Sequence, residues 1–286
     1  MRDKHFLFAP TYTPLNHGSF GTYPKSVQKR FHEVQALSEA RPDTFVRYQY
    51  PAMLDESRAA MAEFLGVPVD EVVFVPNATT AINVVLRSLK FEKGDVILHL
   101  SSVYGSVEKT IEYLRETTKV DRISLPVQYP IDDEALVSSF QQAIRGAKSE
   151  GFNVRIASFD TISSLPGVRV PWERLVGVCR AEGVLSMIDG AHGIGQTELD
   201  LPNVTPDFFT SNCHKYVSIS SPQSDGSRLK SGESTDKISL DGCTYPEHAQ
   251  CSLCQNEIST LSDPRCRHLM GLILYLEKVA KRSSTP

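Results

Sequence analysis

The chain has 286 residues, 41% of them hydrophobic and 22% charged, with a formal net charge of −4, the balance of a globular protein that can bury a substantial core. No run of Lys or Arg offers a nucleic-acid track or an anionic-membrane patch, and no stretch approaches the length of a membrane span. The start, "MRDKHFLFAP", lacks a secretory apolar region, so no nucleic-acid or membrane partner is expected, and the six cysteines read as reduced thiols of a cytoplasmic protein.

In chain order, "PAMLDESRAAMAEFLG" predicts an amphipathic helix that stops at Gly66. "EVVFVP" is a short apolar core between turn formers and reads as a buried strand, with "TTAINVVLRSL" following at helical spacing. "DVILHL" predicts the next strand, "VEKTIEYLRETT" a helix, and "RISLPV" a third strand. Asp132 or Asp133 caps a helix running to about Ala147. "VRIASFD" is a fourth strand, "WERLVGVCRAEG" a helix closed by Gly183, "VLSMID" a fifth strand and "DFFTSN" a sixth. Strands alternating with helices of this length argue for parallel βαβ units in an α/β domain.

Around residue 217 the chain changes character. All 13 Phe and the single Trp lie before it, whereas residues 217–286 hold 13 serines and only two aromatic residues. "VSISSPQSDGSRLKSGESTDK" has no periodicity and predicts a loop or disorder. Within this atypical tail only residues 268–281 read as a helix.

Ligands of open α/β sheets sit beyond the carboxyl ends of the strands, and three of those ends are polar. In "PNATTAIN", Asn77, Ala78, Thr79 and Thr80 lie where a strand turns into a helix, which suits either a phosphate or an ordinary N-cap. In "MIDGAHGIG", Asp189 ends a strand with His192 three residues on: a carboxylate able to hold a proton on a ring nitrogen, or a helix-capping Asp beside an exposed His. In "TSNCHKY", Lys215 is a solvated strand-end charge or a Schiff-base lysine. The order of the set, phosphate cup, strand-end carboxylate, then lysine, favours the phosphate site, the carboxylate that holds a ring-nitrogen proton and the Schiff-base lysine.

These motifs, with "LNHGSFGTYP" and "FLGVPVDEVVFVPNATTAINVVLRSL", resemble the class V aminotransferase-like enzymes that use pyridoxal 5'-phosphate. The branch they are most similar to is isopenicillin N epimerase-like and cysteine desulfurase- or desulfhydrase-like. The resemblance covers about the first 216 residues and implies a fold-type-I large domain with a mainly parallel sheet. It implies that Lys215 forms the Schiff base (aldimine) with the cofactor, that Asp189 pairs with the pyridine nitrogen, and that His192 lies by the ring and its phenolic oxygen. It further places Ala78, Thr79, His214 and Asn212 at the phosphate, Tyr104 against the ring, and Ser163 near the cofactor's oxygen. Asn16 and His17, in an N-terminal segment spanning residues 1–50, belong to a loop beside the substrate, an amino acid. The implied reactions are C–S cleavage or racemisation at Cα, and the implied assembly is a homodimer.

Beyond Tyr216 the resemblance leads one to expect a further strand beside "VVFV", then a small domain supplying an arginine for the substrate carboxylate; neither is recognisable. The expectation is a truncated or frame-altered chain, poorly active or inactive. A rival reading from another class is a catalytically inactive protein that binds pyridoxal phosphate or serves as an interaction module, its tail binding zinc through Cys243, His248, Cys251, Cys254, Cys266 and His268. The glycines of "GAHGIG" are not in G-x-G-x-x-G order, and neither a G-x-S-x-G elbow nor H-E-x-x-H is present.

Overall fold

The computed structural model describes residues 2–213, Lys215 and residues 271–275. Two short helices, α1 (Arg2–His5) and α2 (His17–Phe20), lead to α3 (Lys25–Ala40), of which only Val34 is buried. A brief α4 (Pro42–Thr44) and a π-helical turn, Phe45–Gln49, run into α5 (Tyr50–Leu65). As expected, α5 ends at Gly66, whose left-handed φ of 69° lets its N–H reach back to the carbonyls of Ala62 and Glu63.

From there the strand–helix rhythm read from the sequence is realised. It comprises β1 (Val72–Val75), α6 (Ala78–Ser88), β2 (Asp95–Leu100), α7 (Gly105–Thr117), β3 (Asp121–Leu125) and α8 (Asp133–Ser149). After these come β4 (Asn153–Asp160), α9 (Trp172–Glu182), β5 (Leu185–Asp189), the single-turn α10 (Leu201–Val204), β6 (Phe208–Asn212) and β7 (Gly271–Tyr275). Asp132 caps α8 by accepting hydrogen bonds from the Glu134 and Ala135 N–H groups.

The sheet order is β1-β7-β6-β5-β4-β2-β3, with every pair from β6 to β3 parallel. Because side chains alternate across a strand, the sheet builds two apolar layers. Ile97, Ile156, Met187 and Phe208 face one way, against Ile82 and Leu86 of α6 and Ile111 and Leu114 of α7. Leu98, Phe159, Ile188 and Phe209 face the other, against Phe140 and Ile144 of α8, Trp172 and Leu175 of α9, and Met61 of α5. Each such fully buried side chain contributes about 1.5–3 kcal/mol over its exposed state.

One expectation is corrected. Residues 271–275, within the span read as a helix, form β7, which is antiparallel to both neighbours: four residues pair with β1 and five with β6. The strand expected to be missing beside "VVFV" is thus present, drawn from much further along the chain. The physical reason is tertiary. A short apolar run such as "GLILY" has no periodicity that separates helix from strand, and two facing rows of unpaired backbone groups select the extended form. The remainder of the predicted helix and of the tail lies outside the described residues.

Candidate active site

The site is built at the carboxyl ends of β4, β5 and β6, on the face covered by α6. Pro76 ends β1, and Asn77 adopts extended backbone with its Oδ1 accepting the Thr80 N–H at 2.8 Å. The Ala78 N–H donates to Oδ1 of Asn212 at 3.0 Å, a buried bond that ties the start of α6 to the end of β6. Thr79 Oγ1 lies 3.0 Å from Ser106 Oγ at the start of α7, while Asn83 Nδ2 donates to the Thr79 carbonyl at 3.0 Å and to Thr110 Oγ1 at 2.9 Å. The helix start is therefore held from three sides, with its positive dipole end over the strand ends.

Asp189 closes β5 and is buried, its Oδ1 accepting the Ala191 N–H at 3.0 Å. Gly190 follows because nothing larger fits: an added Cβ would stand 2.3 Å from the Phe209 ring. Its N–H donates to the Thr210 carbonyl at 2.6 Å and its carbonyl accepts from Ser211 Oγ at 2.6 Å, so the turn is pinned to β6. Burial raises the Asp189 pKa above the usual carboxylate value, opposed by the Ala191 N–H and by Lys215.

Lys215 follows β6 and is partly buried. Desolvation lowers the pKa of its ammonium, opposed by the charges of Asp189 and Asp160. Burial, then Lys215, pushes His192 down to about 4, so its imidazole is neutral at neutral pH. Lys215 therefore acts electrostatically on both Asp189 and His192.

A further member went unread in the sequence. β4 and β5 pair residue for residue up to Asp160 opposite Asp189, so two carboxylates end adjacent strands on one face. Asp160 is 4% exposed, and neither of its oxygens has a hydrogen-bond partner among the described residues. Burial, then the charge of Asp189, holds its pKa well above the usual value, with Lys215 opposing. The signal was present: "SFD" and "MID" each end an apolar strand in Asp, but only the register makes them neighbours.

The other sequence-predicted residues are placed as follows. Tyr104 precedes α7 and is 51% exposed. Ser163 is fully buried and bonds its own loop: its Oγ accepts the Val168 N–H at 3.2 Å and donates to the Val168 carbonyl at 3.3 Å. Asn16 is exposed, and His17 sits edge-on to the Phe6 and Phe8 rings in an N-terminal cluster, its Nε2 buried without a partner among the described residues. His214 and the six zinc candidates lie outside the described residues. Among the described residues no group of three or more potential metal ligands occurs, and no helix is long and apolar enough to cross a membrane.

A lysine following the last parallel strand, a buried Asp ending the strand before it and a helix start tethered to that last strand through Asn212 are now in one place. Residues 28–220 match the family described as aminotransferase class-V. The chain belongs to the class-V aminotransferase family. Within it, the chain is 38% identical over 217 residues to an L-cysteine desulfhydrase-like protein, lolT1, of Epichloe uncinata, covering 76% of this chain and 48% of that protein. It is 34% identical over 218 residues to the probable chloroplastic L-cysteine desulfhydrase of Arabidopsis thaliana, covering 72% and 46%. It is 29% identical over 213 residues to the isopenicillin N epimerase of Streptomyces clavuligerus, covering 74% and 52%. This class-V chain thus spans about half the length of the curated relatives it matches. Among solved structures, the cystine C–S lyase C-DES, in complex with its product cysteine persulfide, superposes with a TM-score of 0.66 at 19% identity, covering 72% of this chain and 54% of that one. The cysteine desulfurase CsdA of Escherichia coli superposes with a TM-score of 0.58 at 20% identity, covering 70% and 50%. These two likenesses show the shared fold.

Proposed function

We propose that this chain binds pyridoxal phosphate through Lys215 and acts on a cysteine-like amino acid by C–S bond cleavage. The observation that carries the reading is the common field of Lys215, Asp189 and His192 under the start of α6. The residues fit the cofactor. The α6 start suits a phosphate, with Thr79 and the Asn212 amide beside it, and His214 follows in sequence. A buried carboxylate suits a protonated pyridine nitrogen, and a lysine amine made less basic by burial suits an aldehyde.

When bound, the cofactor supplies an electron sink for the negative charge that develops at the substrate Cα. The protein's part is to hold and orient. Asp189 keeps the proton on the ring nitrogen. Neutral His192 accepts or donates a hydrogen bond at the ring's oxygen without adding charge, with Ser163 assigned to the same oxygen. Tyr104 would lie against the ring. Lys215 Nζ moves the proton at the substrate Cα, the role for which a lowered basicity is required. Asn16 and His17 are assigned to the substrate side. The exposed Leu37, Val46 and Tyr48 of the first 50 residues support a homodimer, and free buried Cys179 and Cys213 agree with a cytoplasmic setting.

Racemisation at Cα is the second reading, supported by the similarity to an isopenicillin N epimerase. The deciding experiment titrates purified protein with pyridoxal phosphate and follows visible absorbance, borohydride trapping at Lys215 and sulfide release from L-cysteine. Trapping lost in Lys215→Ala, together with sulfide release, is the expected result. Solvent-hydrogen exchange at Cα without sulfide release would transfer the assignment to racemisation. Folded protein that traps no cofactor would overturn both readings and leave the catalytically inactive alternative.

A further inference from the structure

We propose that Asp160 is a positioning residue for Asp189: it holds one proton at neutral pH and donates it to the Asp189 carboxylate, fixing that group toward the cofactor's ring nitrogen. This rests on the pyridoxal-phosphate reading above.

Three observations carry it. The two residues are direct register partners on adjacent parallel strands, which run about 4.8 Å apart, so their side chains leave the same face side by side. Both are almost fully buried, at 4% and 5% exposure. Asp160 has two oxygens without a hydrogen-bond partner among the described residues, whereas Asp189 accepts the Ala191 N–H. A buried carboxylate with no donor is costly, and two adjacent carboxylates cannot both ionise cheaply. One shared proton removes both costs. It belongs on Asp160, because Asp189 has a backbone donor that favours its anion.

The surrounding groups leave that assignment standing. From β5 only Asp189 faces Asp160, and Lys215 approaches from beyond β6. On β2, His99 is the partner of Ser158, one step below on the same face, and its Nδ1 already donates to the Leu100 carbonyl at 3.0 Å, with Arg122 at 3.5 Å from Nε2. The first two turns of α6, residues 78–85, contain no titratable side chain.

The test uses the full chain and two variants, since Asn keeps a hydrogen-bond donor toward Asp189 and Ala does not. In cofactor-free protein, urea unfolding is measured across pH for the wild type and Asp160→Asn. A folded-state pKa raised above its unfolded value means that the folded state holds the proton longer. Wild-type stability must then fall as pH rises from the ordinary carboxylate range through the raised value, and Asp160→Asn, which keeps only the contribution of Asp189, must show a smaller fall. Parallel profiles would overturn the proposal. With pyridoxal phosphate added to the cofactor-free proteins, Asp160→Asn is expected to bind within about threefold of wild type. Asp160→Ala should bind about tenfold more weakly, the loss of one hydrogen bond to a charged group. Asn as weak as Ala would mean that Asp160 acts as a second anion, and Ala equal to wild type would mean that it positions nothing; either overturns the idea. A wild type that binds no pyridoxal phosphate would overturn the cofactor reading instead, while the pH profiles still decide where the proton sits.

Discussion

Gly190→Ala is expected to destabilise the fold more than either Gly193→Ala or Gly177→Ala. The new Cβ would stand 2.3 and 2.7 Å from two carbons of the Phe209 ring and 2.8 Å from the Thr210 carbonyl oxygen. Ordinary carbon–carbon contact is about 3.5–4.0 Å, so something must move by roughly 1.2 Å or more. Phe209 has little freedom to move: it is 1% exposed and its ring lies 6.4 Å from that of Trp172. Nor can the backbone retreat, because Gly190 is bonded to β6 through both its N–H and its carbonyl. Overpacking of this kind costs about 1–3 kcal/mol, which lowers a urea midpoint by roughly 0.5–1 M. Two controls grade the argument. In Gly193→Ala the nearest atom, at 2.9 Å, is the hydroxyl of Thr161, a milder approach than the 2.3 Å at Gly190, so a smaller loss is expected. In Gly177→Ala the methyl meets nothing within 4 Å on the exposed side of α9, so a gain of about 0.5–1 kcal/mol is expected. A Gly190→Ala midpoint equal to wild type, or an order other than 177 above 193 above 190, would refute the reasoning.

Asn77→Ala removes the oxygen that accepts the Thr80 N–H and should cost about 1 kcal/mol in urea unfolding, with weaker phosphate-ester binding measured by titration. Ile273→Pro deletes a backbone donor from a strand paired on both sides, opposite Val73 and Thr210, and should destabilise the fold by about 1–3 kcal/mol. His192→Gln tests the acid limb. The His192 pKa falls from 6.5 to about 4 on folding, so the unfolded chain binds the extra proton first and the wild type loses stability as pH falls between those values. The variant should show a shallower loss over that window, and an unchanged slope would exclude the assignment.

The parallel core was legible because each element carries a local signature: apolar runs ending in turn formers, Asp132 before α8, Gly66 and Gly183 after α5 and α9. Lys215, Asp189 and the α6 start were legible because their residue types recur at strand ends in one order. α3 was not, since with only Val34 buried it carries no apolar stripe for periodicity to detect. β7 was misread because what makes it a strand is β1 and β6, both far away in sequence. Asp160 was overlooked for a related reason. A strand-end Asp looks like any cap until the register puts a second carboxylate beside it. The bond from Ala78 to Asn212, across 134 positions, is equally invisible to any local window.

The three strand ends gather two acids, one amine and one imidazole in an apolar wall, and the arrangement holds because few of them are charged together. His192 is neutral at neutral pH. Asp189 has a cationic neighbour in Lys215, and under the proposed function a protonated ring nitrogen would take that place. Asp160 also feels Lys215 but, unlike Asp189, has no hydrogen-bond donor among the described residues, which is why a proton there costs least. Pairing of this kind is strong only where water is kept away. That requirement reaches back to the sheet, where Thr210 and Ser211 are fully buried and Asn212 is 6% exposed. β7 runs alongside all three, with Gly271 opposite Asn212 and Ile273 opposite Thr210. The described segment that lies furthest along the chain thus lines the strand on which the α6 tether depends. Weakening β7 should loosen the Ala78–Asn212 bond and let water in at the strand ends, linking the last described strand to the chemistry at the α6 start.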